Sequence, residues 1–152
     1  MTFAQSLEKR KRDIQNRRPN ADLHLSAAIL MFSVIRADGD TDHLELAHMV
    51  DILRSRYALT GEEISSLIAA VRSSIVDDHG LGLLAEKLSQ HWRQSARKQL
   101  LNDLWILATA DQKIRLSEIR IINLIAEGLG LSAEDIERAQ HKAEQRLELT
   151  SG

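Results

Sequence analysis

The chain reads as an all-α protein, a single-domain helical bundle of about seven or eight helices built from two related halves. Three observations carry that reading. Apolar residues recur at spacings of three and four along most of the chain, the mark of helices with one buried face. Pairs that open helices stand ahead of those stretches, with Asp42 before Glu45, Thr60 before Glu63 and Ser132 before Asp135. An acidic pattern also occurs twice: Ala37-Asp38 leads to Glu45, and Ala110-Asp111 leads to Glu118, each acid lying 73 residues from its counterpart.

The elements follow in order. Phe3 to Asn16 is helix-prone and weakly amphipathic, and Arg17-Arg18-Pro19-Asn20 breaks it, because a residue before proline is pushed away from helical angles. Asp22 to Ala37 forms the next helix, with Leu25, Ala28, Ile29, Phe32 and Ile35 on its inner face. Gly39 ends it, as a residue that takes left-handed angles without steric cost. Asp42 opens a helix whose inner stripe is Leu46, Met49, Val50 and Leu53, ending near Tyr57. Thr60 opens another, with Ile64, Leu67, Ile68 and Val71. Asp77 to Gly82 reads as a loop, followed by a short helix around Leu84 to Gln90 and a turn near His91-Trp92. A strong helix covers about Arg97 to Ala110. Past the second acidic turn, Ile119, Ile122, Leu124 and Ile125 mark a further helix, closed by Gly128 or Gly130. The last helix holds Ile136, Ala139 and Leu147, and Thr150-Ser151-Gly152 is expected to be loose.

The two copies agree beyond their acids. Phe32 matches Trp105, Val34 matches Leu107, Met49 matches Ile122 and Ile52 matches Ile125. Past a one-residue deletion, Leu59-Thr60 matches Leu131-Ser132 and Glu63-Ile64 matches Asp135-Ile136. Residues 1–21 are therefore read as a basic leader and 22–148 as the helical domain, with halves of about 22–76 and 95–148. Units this similar are expected to bury their apolar faces against each other.

Bulk properties narrow the function classes. A chain of 152 residues suits one domain with a real core. It has no cysteine, hence no disulfide framework and no thiolate chemistry. No apolar run is long enough to span a bilayer, and no secretory signal opens the chain, so a cytoplasmic protein is expected. Residues 1–20 hold Lys9, Arg10, Lys11, Arg12, Arg17 and Arg18 against Glu8 and Asp13, while the whole chain carries −2. A basic leader thus precedes an acidic body. Either it is a solvated first helix, or it meets an anionic membrane surface at the inner face. Nucleic acid is not expected, since aromatic residues for base stacking are missing there apart from Phe3.

The acids pose a physical question. Asp38 and Asp111 fall at helix C-termini, where the backbone dipole disfavours a carboxylate by about 0.3–1 kcal/mol. Two readings answer it. Each Asp accepts backbone N–H groups across its turn, while Glu45 and Glu118 sit in the first helical turn where acids are favoured. Alternatively the four carboxylates Asp38, Glu45, Asp111 and Glu118 meet at a divalent cation, for which hard oxygen ligands suit Ca²⁺ or Mg²⁺. Asp40, Asp42 and His43 are secondary candidates in that case. Asp38, Asp40 and Asp42 alternate like the start of an EF-hand, yet the sixth position is His43 and the twelfth is Met49, not the glycine and glutamate such a loop needs. In the second copy Gln112, Lys113 and Arg115 occupy this stretch, and Lys113 and Arg115 are placed to pair with acids of the first. No metalloprotease helix motif, nucleophile elbow or phosphate loop is present, so no enzyme is expected.

The ordered set A-D-G-D-x-D-x-x-E at Ala37–Glu45, A-D-x-x-x-x-x-x-E at Ala110–Glu118 and G-L-G-L-S-A-E-D-I at Gly128–Ile136 resembles the TerB family of tellurite-resistance helical domains. The resemblance covers about Asp22 to Ala143. It implies an all-α fold with two related halves and a place in bacterial responses to tellurite and other chemical stress. It also implies a metal-chelating role for Asp38, Glu45, Asp111 and Glu118. The expected function is a non-enzymatic, stress-associated helical module with an acidic, divalent-metal-binding site. The alternative is a metal-free adaptor that binds another protein, with Trp92 as a candidate contact.

Overall fold

A computed structural model describes Thr2 and residues 21–37, 39 and 43–151. The basic residues Lys9, Arg10, Lys11, Arg12, Arg17 and Arg18 lie outside the described residues, as do Asp38, Asp40 and Asp42. Among the described residues there are seven helices and no strand: α1 (residues 21–35), α2 (His43–Tyr57), α3 (Gly61–Arg72), α4 (Asp78–His91), α5 (Gln94–Ala108), α6 (Leu116–Gly128) and α7 (Ala133–Ser151).

Local chemistry explains the helix starts. At α3 the Glu63 N–H donates to Thr60 Oγ1 at 3.2 Å and the Thr60 N–H donates to Glu63 Oε1 at 3.1 Å, the reciprocal box read from the sequence. At α7 the Asp135 N–H donates to Ser132 Oγ at 3.1 Å. Asp77 accepts the Gly80 N–H at 2.8 Å and so starts α4 where a loop was expected. Gly80 and Gly82 do not break this helix. A side chain at Gly128 would place its Cβ 2.7 Å from Ala85 Cβ and 3.0 Å from the Gly82 carbonyl, so the small residues on α4 and α6 permit close approach of the two helices. Two ends also differ from expectation. Helix α5 begins at Gln94, since nothing from there to Arg97 disfavours a helix, and α7 runs on to Ser151 because no proline or glycine stops it earlier.

The core is centred on α1 and α5. Leu30, Met31, Val34 and Ile35 of α1 are buried, as are Leu100, Leu101, Leu104, Trp105 and Leu107 of α5. Each such side chain contributes about 1.5–3 kcal/mol by leaving water. Helix α5 packs on α2, α4, α6 and α7. The two helices are counterparts in the repeat, and their ends close alike. The Gly39 N–H donates to the Arg36 carbonyl at 2.9 Å, and the Gln112 N–H donates to the Thr109 carbonyl at 3.0 Å. Both turn residues are left-handed, with φ +90° at Gly39 and +67° at Gln112. The correspondence continues after the deletion, where Ala58 and Gly130 have φ of +53° and +70°.

One polar link joins α2 to this core. Asp103 is 0% exposed, and the Arg56 guanidinium grips it with two hydrogen bonds, Nη2 to Oδ1 at 2.9 Å and Nε to Oδ2 at 3.2 Å. Gln99 Nε2 adds a third at 3.2 Å. Burial, and then the Asp103 charge, push the neighbouring Tyr57 phenol upward. Tyr57 also stacks on Trp92, with centroids 5.8 Å apart, so Trp92 is half-buried in an intramolecular contact. Because removing Arg56 strands a buried carboxylate, Arg56→Met is expected to cost about 3 kcal/mol in urea unfolding. A cost below about 0.5 kcal/mol would show that the pair does not tie α2 down.

Candidate functional site

The site forms where the ends of two helix pairs meet. Helix α2 carries Glu45 in its first turn, and α6 carries Glu118 in its first turn. Both face inward, since Leu46–Met49 and Ile119–Ile122 set the apolar register of these helices, and the two acids are 2% and 1% exposed. Asp111 lies in the turn that ends α5 after Thr109, whose hydroxyl donates to the Trp105 carbonyl at 2.7 Å. Asp111 Oδ1 accepts the Lys113 N–H at 3.1 Å. That is the turn-fixing role considered for this acid. Glu118 Oε1 accepts the Arg115 N–H at 3.3 Å across the start of α6.

The guanidinium of Arg115 occupies the centre. Its Nη1 lies 2.8 Å from Asp111 Oδ2, 3.5 Å from Glu118 Oε1 and 4.0 Å from Glu45 Oε1. Three of the four principal acids are thus brought together, two from the second half and one from the first, around an internal cation. The pairing expected of Arg115 with an acid of the first copy is present. Lys113 contributes its backbone N–H, and its side chain forms no ion pair among the described residues. His43 is exposed at the first position of α2. Among the described residues no group of three or more His, Asp or Glu side chains is placed to hold a metal ion. Asp38, Asp40 and Asp42 fall outside them.

Burial dominates the electrostatics. It pushes the Glu118 carboxyl up from 4.5 to about 7, against the lowering effect of the Arg115 N–H and guanidinium and with a further upward push from Asp111. Glu118 Oε2 is buried and has no hydrogen-bond partner among the described residues. The arrangement is therefore short of positive charge or donors at one oxygen. It offers hard oxygen donors and a carboxyl pushed up to about 7, which exchanges its proton around neutral pH. Asp103 has a fainter signal in the chain, its register: it lies three after Leu100 and four before Leu107, on the buried face of α5.

A pH dependence follows. The folded Glu118 binds its proton more tightly than the unfolded chain does, so its contribution is full below about pH 4.5, falls as pH rises toward about 7, and is flat above. His24 acts with the opposite sign, because burial lowers its pKa against the raising effect of Glu63. Comparing wild type with Glu118→Gln isolates the carboxyl. Between about pH 5 and about pH 8 the wild type should lose on the order of 2 kcal/mol more stability than Glu118→Gln. Parallel stability–pH curves from denaturant titrations would contradict the raised pKa.

The family described as Tellurite resistance protein TerB matches residues 24–141, a span that includes both acidic turns and the helices that carry them. No curated protein and no solved structure matches the chain. Among the described residues no helix is long and apolar enough to cross a membrane. On the family match and the seven helices without a strand among the described residues, the chain belongs to the TerB family.

Proposed function

We propose that this protein is a non-enzymatic, stress-associated binding module of the tellurite-resistance type, and that its acidic centre takes a divalent cation, Ca²⁺ or Mg²⁺. One observation supports the reading most directly: Glu118 keeps a buried carboxylate oxygen without a hydrogen-bond partner among the described residues, beside Asp111 and Glu45. Hard carboxylate oxygens suit a hard dication. The residues that would hold it are Asp38, Glu45, Asp111 and Glu118, with Asp40, Asp42 and His43 as secondary donors; Glu45, Asp111 and Glu118 do not form a metal-holding group by themselves. The ion would supply positive charge to the centre. Arg115 supplies part of that charge from within the chain. The same residue favours a second reading, a metal-free adaptor in which the guanidinium alone neutralises the acids and the helix faces bind another protein. Attachment of Lys9–Arg18 to an anionic lipid surface is compatible with both.

Thermal melts with millimolar Ca²⁺ or Mg²⁺ separate the readings. At a hundredfold excess over Kd the wild-type Tm should rise by on the order of 5 °C. The shift should grow in Arg115→Gln, which removes the internal competitor, and vanish in Asp111→Asn/Glu118→Gln. No shift in either wild type or Arg115→Gln would overturn the metal reading and leave the adaptor.

A further inference from the structure

A second site lies on the other side of α6. A cavity of about 200 Å³ opens between the C-terminal ends of α1 and α3, the N-terminus of α4 and the second turn of α6. Buried Phe32, Val71, Leu81 and Ile121 give it a small apolar floor within a lining that is more polar than apolar. Two arginines stand at its rim. Arg36 is exposed, its guanidinium carbon is 5.5 Å from the centroid of the Phe32 ring, and no carboxylate among the described residues pairs with it. Arg120 Nη1 donates to Asp78 Oδ2 at 2.7 Å, so its charge is locally balanced. The hydroxyls of Ser33 and Ser74 donate to the Ile29 and Ala70 carbonyls at 2.8 and 2.9 Å. They present lone pairs to the cavity, which leaves the guanidinium N–H groups as its main donors. The net charge of Arg36, Arg120 and Asp78 is positive.

This combination has a definite chemistry. A planar guanidinium offers two parallel N–H bonds to a carboxylate or phosphate oxygen pair. Stacking against Phe32 holds Arg36 over the cavity and limits the side-chain entropy lost on binding. The apolar floor rewards a body of a few carbon atoms. The volume is below that of sites for drug-sized ligands, about 300–1,000 Å³. We propose that this cavity binds a small organic oxyanion, a carboxylate or phosphate monoester with a short apolar body, gripped by Arg36 with Arg120 beside it. None of the residues that line the cavity is one of the acids or the arginine of the acidic centre. Arg120 follows Glu118 by two residues, which turns it about 200° around the helix.

Methyl and amide NMR titration of the full chain tests the assignment. Butyrate should give saturable shifts at Val71, Leu81 and Ile121, with a Kd of order 1 mM. Butyramide, which has the same shape without the charge, should not. Inorganic phosphate should bind more weakly than butyrate, because it leaves the apolar floor unused. Arg36→Gln should weaken butyrate at least about tenfold and Arg36→Lys less, whereas Arg54→Gln, exposed on α2 and outside the cavity, should not. Four results would each overturn the proposal: no saturable shift with butyrate, equal binding of butyramide, phosphate binding as tightly as butyrate, or undiminished binding by Arg36→Gln.

Discussion

Two carboxylates, Glu45 and Glu118, are held together at the edge of a largely apolar core, and the cost of keeping them there shapes this molecule. A buried carboxylate without compensation is far more expensive than any single helix contact. The fold answers by bringing both helix starts to one guanidinium. Arg115 sits in the turn between α5 and α6, touches the acids of its own half and reaches the acid of the other. The junction of the halves is thus polar at this point and at the Arg56–Asp103 pair, and apolar along α1 and α5. Apolar packing supplies most of the stability, while the charged centre restricts how the two halves meet.

Much of this was legible in the chain. The spacing of Leu100, Leu104 and Leu107, the box at Thr60–Glu63 and the left-handed glycine at Gly39 are local signals, and local chemistry decides them. Duplication extended their reach: the turn at Gln112 has the geometry of that at Gly39 although it lacks the glycine. The start of α4 differs from the expected loop because Gly80 and Gly82 look like loop residues in one dimension. The Asp77 cap starts the helix through both, and the close approach to α6 rests on Gly128, whose added Cβ would meet Ala85 and the Gly82 carbonyl. Asp103 was missed for a similar reason, since only its partner Arg56, on another helix, makes a buried aspartate tolerable.

For the acidic centre, the sequence located Asp111, Glu118 and Glu45 in one region and marked Arg115 as a partner. It did not rank the two ways of neutralising them, because ranking depends on burial. With Glu118 nearly inaccessible and its carboxyl pushed up to about 7, a proton and the Arg115 guanidinium compete for the same oxygens, and the proposed cation would join that competition. Under the proposed function, such competition would let a small helical domain respond to its ionic surroundings. The positively charged cavity on the far side of α6 would extend that binding capacity to anions, through residues that take no part in the centre.

The central claim is that the halves are joined electrostatically through Arg115. A double-mutant cycle between Glu45→Gln and Arg115→Gln, read by urea unfolding at neutral pH without divalent cations, tests it most directly. The account predicts a coupling energy on the order of 1 kcal/mol or more between these residues of different halves. Additive effects within about 0.3 kcal/mol would contradict it.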